Sequence, residues 1–418
     1  MNTLKHREDG RAGMRAGWEV KSLGEICDIE RGGSPRPIQD FITTDPNGIN
    51  WIKIGDATAS GKYIYKTEEK IKPEGVKRSR LVYEGDFILS NSMSFGRPYI
   101  MKTTGCIHDG WLVLHQPKVD PDYLYHALSS DLVFEQFNRL AAGSTVRNLN
   151  IGLAKSVEIQ CPPLAEQQRI VAILDEAFEG IAAARKHAEQ NLQNAKALFE
   201  SHLEAVFSQK GEGWVETTIG DLCNIKHGYA FDGQDFSSSV PDGFPMVVTP
   251  GNFTEDGKLS FNERNTKRFS GISPAGYKFN VGDMVVVMTD LSSKMKILGK
   301  PAFVETNNLL HNQRIGRLIF ITDRIEKRLL YYFMMTNRFL NSIKLTSTGT
   351  MVKHTAPSRI LSNIVYFPVS LQEQNAIVSN LDALRDETNR LTDIYTQKIA
   401  ALDALKKSLL HQAFSGEL

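Results

Sequence analysis

The sequence predicts an α+β protein with an internal pseudo-twofold repeat: two similar globular domains joined by two long antiparallel helices that pair as a coiled coil. Three observations predict it. Landmarks that begin at Gly17-Trp18 return at Gly213-Trp214 and keep their order to the end of the chain. Each half opens with short β-branched and aromatic runs, such as INWIKIGD, GDFILSNS and GDMVVVMTD, broken by Gly, Pro, Asn and Asp; that is the pattern of strands and turns. Each half closes on a long segment with helical apolar spacing and almost no Gly or Pro.

The repeat is the first element to justify. Gly17–Gly32 aligns without gaps on Gly213–Gly228, matching Trp18 with Trp214, Gly24 with Gly220, Cys27 with Cys223 and Ile29 with Ile225. Gly85-Asp86 then matches Gly282-Asp283, Gly96-Arg97-Pro98 matches Gly299-Lys300-Pro301, and His108 is paired with His311. Gly143–Arg147 matches Gly349–Lys353, and Leu164-Ala165-Glu166-Gln167 matches Leu371-Gln372-Glu373-Gln374. Two copies of one fold with different loops explain this order.

The helices follow. Pro162-Pro163 ends the strand SVEIQ, and a helix runs from Leu164 to about Phe207 with Leu174, Ile181, Ala188, Ala195 and Phe199 on its apolar face. In the second copy Leu381, Leu384, Leu391, Tyr395, Leu402, Leu405 and Leu409 keep the three/four spacing of a heptad seam. At ~1.5 Å per residue each helix spans roughly 65 Å, too long to be buried by its own globule. The two seams therefore bury each other, and the intervening globule makes the pairing antiparallel, giving a dumbbell. The divisions expected are a flexible leader (1–16), a first domain (17–163), a central spacer helix (164–212), a second domain (213–370) and a distal spacer helix (371–418).

Composition narrows the function. With 418 residues the chain exceeds one ordinary core. No apolar run reaches the ~18 residues that would cross a bilayer, the first sixteen residues lack a signal-peptide core, and four scattered cysteines without a CxxC pair indicate neither a disulfide framework nor a zinc site. A cytoplasmic protein with no membrane partner is expected. The net charge of +1 requires any nucleic-acid binding to use local patches. Residues 16–160 hold 17 basic and 18 acidic side chains and residues 213–365 hold 18 and 13, so the second globule is the stronger electrostatic binder. The stretch 164–212, with 5 basic against 8 acidic groups, suits a protein partner.

The segments GSTVRNLNIGLAKSVEIQCPPLAEQQRIVAILD (143–175) and GTMVKHTAPSRILSNIVYFPVSLQEQNAIVSNLD (349–382), with LFESHLEAVFS (198–208) and LKKSLLHQAFSGEL (405–418), resemble the specificity subunit of Type I restriction–modification enzymes. The likeness runs from Gly17 onward; the second copy departs from it at Pro368-Val369-Ser370-Leu371, where the first has a double proline. The resemblance implies two target recognition domains, each reading half of an interrupted, asymmetric double-stranded DNA sequence. It implies helices that space the heads and dock two modification (methyltransferase) subunits and the restriction (motor–nuclease) subunits. It also implies no chemistry in this chain, with S-adenosylmethionine, ATP and Mg2+ belonging to the assembled complex.

Base readout needs Arg or Lys against guanine and Asn or Gln against adenine. The candidates in the first globule are Arg31 and Arg36 of the turn RGGSPRP, Lys53, Ser90, Asn91, Arg97, Arg147 and Asn148. In the second they are Lys226, Tyr229, Asn252, Lys294, Lys296, Arg314, Lys353 and His354. The loops Gly143–Asn148 and Gly349–His354 stand out because a basic residue recurs at matching positions, and TDLSSKMK (289–296) because two lysines follow a buried-looking strand. Trp18 and Trp214 read as packing anchors, and His108 and His311 as structural histidines. An amino-methyltransferase would carry an Asn/Asp-Pro-Pro-aromatic motif and a motor a P-loop; neither is present. A PD…(D/E)xK nuclease is the enzyme alternative, through Asp242, Asp256 and Lys258, but the first copy has no counterpart. A coiled-coil adaptor whose globules bind protein is the non-enzymatic one.

Overall fold

A computed structural model describes residues 17–91, 96–142, 149–208, 211–232 and 234–418. The chain divides into two compact units, one running to Glu189 and taking up Thr396–Leu418, the other spanning Gln190–Tyr395. Each unit contains one globule and a section of both long helices.

In the first unit Glu19–Ser22 pairs antiparallel with Glu158–Cys161, closing the globule next to the long helix. One sheet has the order Asp28–Arg31, Trp111–His115, Phe87–Ser90, Pro98–Met101, Tyr63–Ile64. A second has the order Ile42–Thr43, Glu69–Ile71, Ile49–Ile52, Gly105–Ile107, Arg80–Val82. Phe87–Ser90 and Pro98–Met101 are buried at every position, so they read as continuous apolar runs instead of alternating ones. The helix Pro121–Leu128 starts where Asp120 accepts the N–H groups of Asp122 and Tyr123, with Pro at its first position.

The second unit repeats this plan. Trp214–Thr218 pairs with Ile364–Pro368. Cys223–His227, Ile315–Phe320, Met284–Val287 and Pro301–Phe303 form the first sheet in the same relative order. The parallel pair Met246–Val248 with Leu309–His311 is the counterpart of Ile49–Ile52 with Gly105–Ile107.

Register corrects one sequence match. Ile52 lies opposite Ile107, and Val248 lies opposite His311. Trp111 N–H donates to the His108 carbonyl as Ile315 N–H donates to that of Asn312. His311 therefore corresponds to Ile107, and His108 to Asn312. A loop of different length between the matched strands lets the two histidines fall out of step by one residue.

The long helices run Leu164–Ser208 and Leu371–Ser415. In the first unit Ile170 and Leu174 pack with Leu410, Ala413 and Phe414, and Arg185 pairs with Asp403. In the second Leu203 and Phe207 share a core with Val378 and Leu381. The start of each helix meets the end of the other, so the pairing is antiparallel, as the seams required. The buried positions Ile181, Ala188 and Ala195 recur every seven residues, and the two alanines allow close approach. Leu405, expected in the seam, is 48% exposed and lies off it. Thr388 is buried in the heptad row between Leu381 and Leu391.

Candidate nucleic-acid interface

In the first globule the backbone at Asp109 gathers several of the expected residues. Its carbonyl accepts Arg31 Nε (3.1 Å) and Asn91 Nδ2 (2.8 Å). Its carboxylate accepts Ser34 Oγ (2.9 Å) and pairs with Arg36 (3.2 Å). The Ser34 hydroxyl, with weaker help from Arg36, holds the Asp109 carboxyl below its ordinary range. Lys53, paired with Glu69 at 2.7 Å, lines with Arg36, Trp51, His108 and Asp109 a surface cleft of about 640 Å³. Arg97 is exposed, its guanidinium 5.4 Å from the centre of the Tyr99 ring. Arg147 and Asn148 lie outside the described residues. Leu149, which follows them, donates its N–H to the Asn91 carbonyl (3.0 Å).

The second globule makes the same junction with different side chains. Thr355 N–H donates to the Met288 carbonyl (2.9 Å), and Met288 N–H donates to that of Arg314 (3.0 Å). Next to it Thr289–Asp290 pairs antiparallel with Lys353–His354, joining the two loops that stood out in the sequence. The buried Asp290 carboxylate accepts the N–H groups of Ser292 (2.8 Å) and Ile297 (3.0 Å), so it shapes the loop between them. Lys294 and Arg314 are exposed on it and beside it. Lys296 pairs with Glu255 at 2.6 Å, and Lys353 Nζ donates to the Gly349 carbonyl (2.8 Å). His354, exposed, places Nδ1 3.0 Å from Thr289 Oγ1. Tyr229 bridges to Asn312 and is 42% exposed. Lys226 donates to the Gly276 carbonyl (2.7 Å) and stands 4.9 Å from the Tyr277 ring centre.

Three expected base readers are placed otherwise. Asn252 is fully buried: its Oδ1 accepts Thr249 N–H (2.8 Å) and its Nδ2 donates to the Asn265 carbonyl (3.2 Å). It holds a turn instead of facing a groove. Ser90 and Asn91 are 3% and 1% exposed, and they support the junction from beneath because a fully buried strand ends there. Asp109, Asn312 and the exposed Gln313 were missed by sequence reasoning. Their signal was positional: Asp109-Gly110 and Gln313-Arg314 occupy the same place in the turn between matched strands, with Asn312 just before it.

The remaining groups are structural. Burial pushes His311 down to about 4, and its Nε2 lies 2.8 Å from the Ile315 carbonyl. Burial therefore keeps the imidazole neutral, and because a carbonyl only accepts, its proton sits on Nε2. Asp242 pairs with Arg268 (2.6 Å), whereas Asp256 lies 3.8 Å from Lys258 and 4.0 Å from Arg385, so the nuclease-like carboxylates have separate partners. All four cysteines are free and buried. Among the described residues no helix is long and apolar enough to cross a membrane.

Two copies of one mixed domain, each running into a long helix and each assembling the same loop junction, define a tandem two-headed recognition protein. Residues 15–193 and 211–401 each match the Type I restriction modification DNA specificity domain, and the chain belongs to that family. It is 21% identical to the MjaVIII specificity subunit of Methanocaldococcus jannaschii, over 96% of this chain and 93% of that protein. It is 23% identical to the EcoKI specificity subunit of Escherichia coli K12, over 96% and 89%. In fold it is similar to a chain from a solved type I R-M system (TM-score 0.77, 18% identity, 97% of this chain and 99% of that one). The HsdS subunit from Thermoanaerobacter tengcongensis is also similar (TM-score 0.59, 18% identity, 98% and 99%). The chain is thus a Type I specificity subunit, a recognition component and not a catalytic one.

Proposed function

We propose that the two globules read the two halves of an interrupted, asymmetric duplex DNA target on behalf of methyltransferase and motor–nuclease partners. The observation that carries this reading is the shared junction with unlike side chains. Leu149 on Asn91 and Thr355 on Met288 are equivalent backbone contacts. The groups around them differ: Asp109 and Arg36 in one head, Gln313, Arg314 and His354 in the other. Equal scaffolds with different chemistry suit two different half-sites.

The reading residues would be Arg36, Lys53, Arg97, Arg147 and Asn148 in the first head. In the second they would be Lys226, Tyr229, Lys294, Lys296, Arg314, Lys353 and His354. The long helices act as the spacer, and exposed Leu198, Ile394 and Leu405 on them suit contact with protein subunits. S-adenosylmethionine, ATP and Mg2+ serve the partners' chemistry.

The test is adenine methylation across the host genome, with and without the gene. One interrupted, asymmetric motif should vanish on deletion and return on complementation. An unchanged methylation map in an actively methylating host would remove this reading and favour a protein-binding adaptor.

A further inference from the structure

Two adjoining loops of the second globule each carry a large apolar side chain in open solvent. Leu291 is 60% exposed and Met351 80% exposed. They stand on loops that leave the same short ladder: Thr289 lies opposite His354 and Asp290 opposite Lys353, with Leu291 directly after Asp290 and Met351 two residues before Lys353. The loop is built to stay there. Asp290 ties it at both ends, Met295 turns it with a φ of 49°, and the Met295 sulfur rests 3.3 Å from Ser347 Oγ.

Charge states what these loops face. Lys294, Lys353 and His354 lie on the same two loops, Lys296 is paired with Glu255, and Asp290, the one acid in 289–296 and 345–355, is buried and occupied by backbone N–H groups. A cationic rim fits phosphate. On the edges of the bases in the major groove, the apolar group is the 5-methyl of thymine.

Building on the proposed function, we propose that Leu291 and Met351 form an apolar contact for a thymine 5-methyl group, making thymine a required base of the second half-site. The lysines grip the flanking phosphates and hold the pair against that base. A 5-methylcytosine offers the same methyl at the same depth and would be accepted only where its opposite edge is not rejected.

The test uses the assembled complex and its mapped target, with each thymine of the second half-site replaced singly by deoxyuridine, which removes the methyl and nothing else. One position should bind about four-fold more weakly, the worth of one buried methyl group. Leu291→Ser and Met351→Ser, both at exposed positions, should bind the thymine and deoxyuridine duplexes alike. A second half-site without thymine, or indifference to every deoxyuridine, would overturn the proposal. So would variants that keep the discrimination, or that lose methyltransferase subunits, since the pair would then be a protein contact. If the wild-type complex binds no duplex at all, the parent reading fails first, and the two failures are told apart.

Discussion

Gln167 and Gln374 make the same hydrogen bonds in the two halves of the chain. Gln167 Oε1 accepts the Asp120 N–H (2.8 Å) while its Nε2 donates to the Pro162 carbonyl (2.8 Å). Gln374 Oε1 accepts the Glu326 N–H (2.7 Å) while its Nε2 donates to the carbonyls of Pro368 (2.8 Å) and Arg324 (2.9 Å). Asp120 and Glu326 cap the helices Pro121–Leu128 and Lys327–Met335. Each glutamine therefore locks its long helix to its globule. A neighbouring tie repeats too: Asp175 meets His126 at 2.8 Å as Asp382 accepts from Tyr332.

The amide is needed because it both accepts and donates. Gln374→Glu keeps the shape but turns a second acceptor toward two carbonyls, so it should destabilise the second unit by about 2 kcal/mol. Thermal unfolding of the wild-type and variant chains checks this; equal transitions would remove the lock from the account.

Acid should weaken the second unit through His311. Burial puts its folded value near 4, below the ordinary 6.5, so the unfolded chain binds more protons between those values. Stability is then complete above about pH 6.5 and falls as pH drops toward 4, by about 3 kcal/mol in total. His311→Ile, the residue of the matching first-copy position, should flatten this part of the slope in urea unfolding followed from pH 7.5 to 5. A slope identical to wild type would contradict the assignment. His126, also lowered by burial, leaves a residual slope of the same sign in the first unit.

Gly228 passes against the Asn312 carbonyl so closely that a Cβ would sit 2.0 Å from its oxygen, and Gly32 meets the His108 carbonyl at the same distance. Neither backbone can yield cheaply. Gly228→Ala should cost about 3 kcal/mol and displace the Tyr229–Asn312 bridge, impairing second-half-site recognition first. Footprinting of each half-site, alongside unfolding curves, would show whether the damage stays in one head.

Arg36 and Arg314 should act on separate half-sites. Loss of a base contact costs about 1–3 kcal/mol at one position; loss of a phosphate contact lowers the salt slope by about one without changing sequence preference. Competition binding of Arg36→Ala and Arg314→Ala to targets altered in either half distinguishes these. Both variants relaxing the same half-site would refute the two-head division.

Four residues inserted in each long helix, after Glu189 and after Tyr395, add about 6 Å, close to two base pairs at ~3.4 Å each. The gap in the methylated motif should lengthen accordingly. An unchanged gap in a complex that still methylates would exclude the helices as the ruler.

The repeat, the α+β class and the antiparallel helices were legible because each depends on local order: recurring landmarks, strand punctuation and a seven-residue spacing. Several candidate loops were legible for the same reason, and the chain brings 289–296 and 349–354 together as neighbours. Single site residues were harder. Ser90, Asn91 and Asn252 have the polar character of readers but lie within the fold, and Leu405 fits a heptad yet lies off the seam. The leucine–glutamine motif itself was visible, while its task was not, since its partners Asp120 and Glu326 stand far away in sequence.

By itself the sequence determined that this protein has two similar heads, two long pairing helices and a place in the specificity family, because periodicity and repetition are carried by neighbouring residues. The tertiary structure alone decided which polar groups face water, that His311 corresponds to Ile107, and that the loops carrying Leu291 and Met351 leave one short ladder with both side chains exposed. The physical reason is that burial, strand register and hydrogen-bond satisfaction depend on segments brought together from distant parts of the chain. An Asn in a turn looks the same on paper whether a carbonyl or a base awaits it; only the packed chain supplies Asn252 with Thr249 and Asn265.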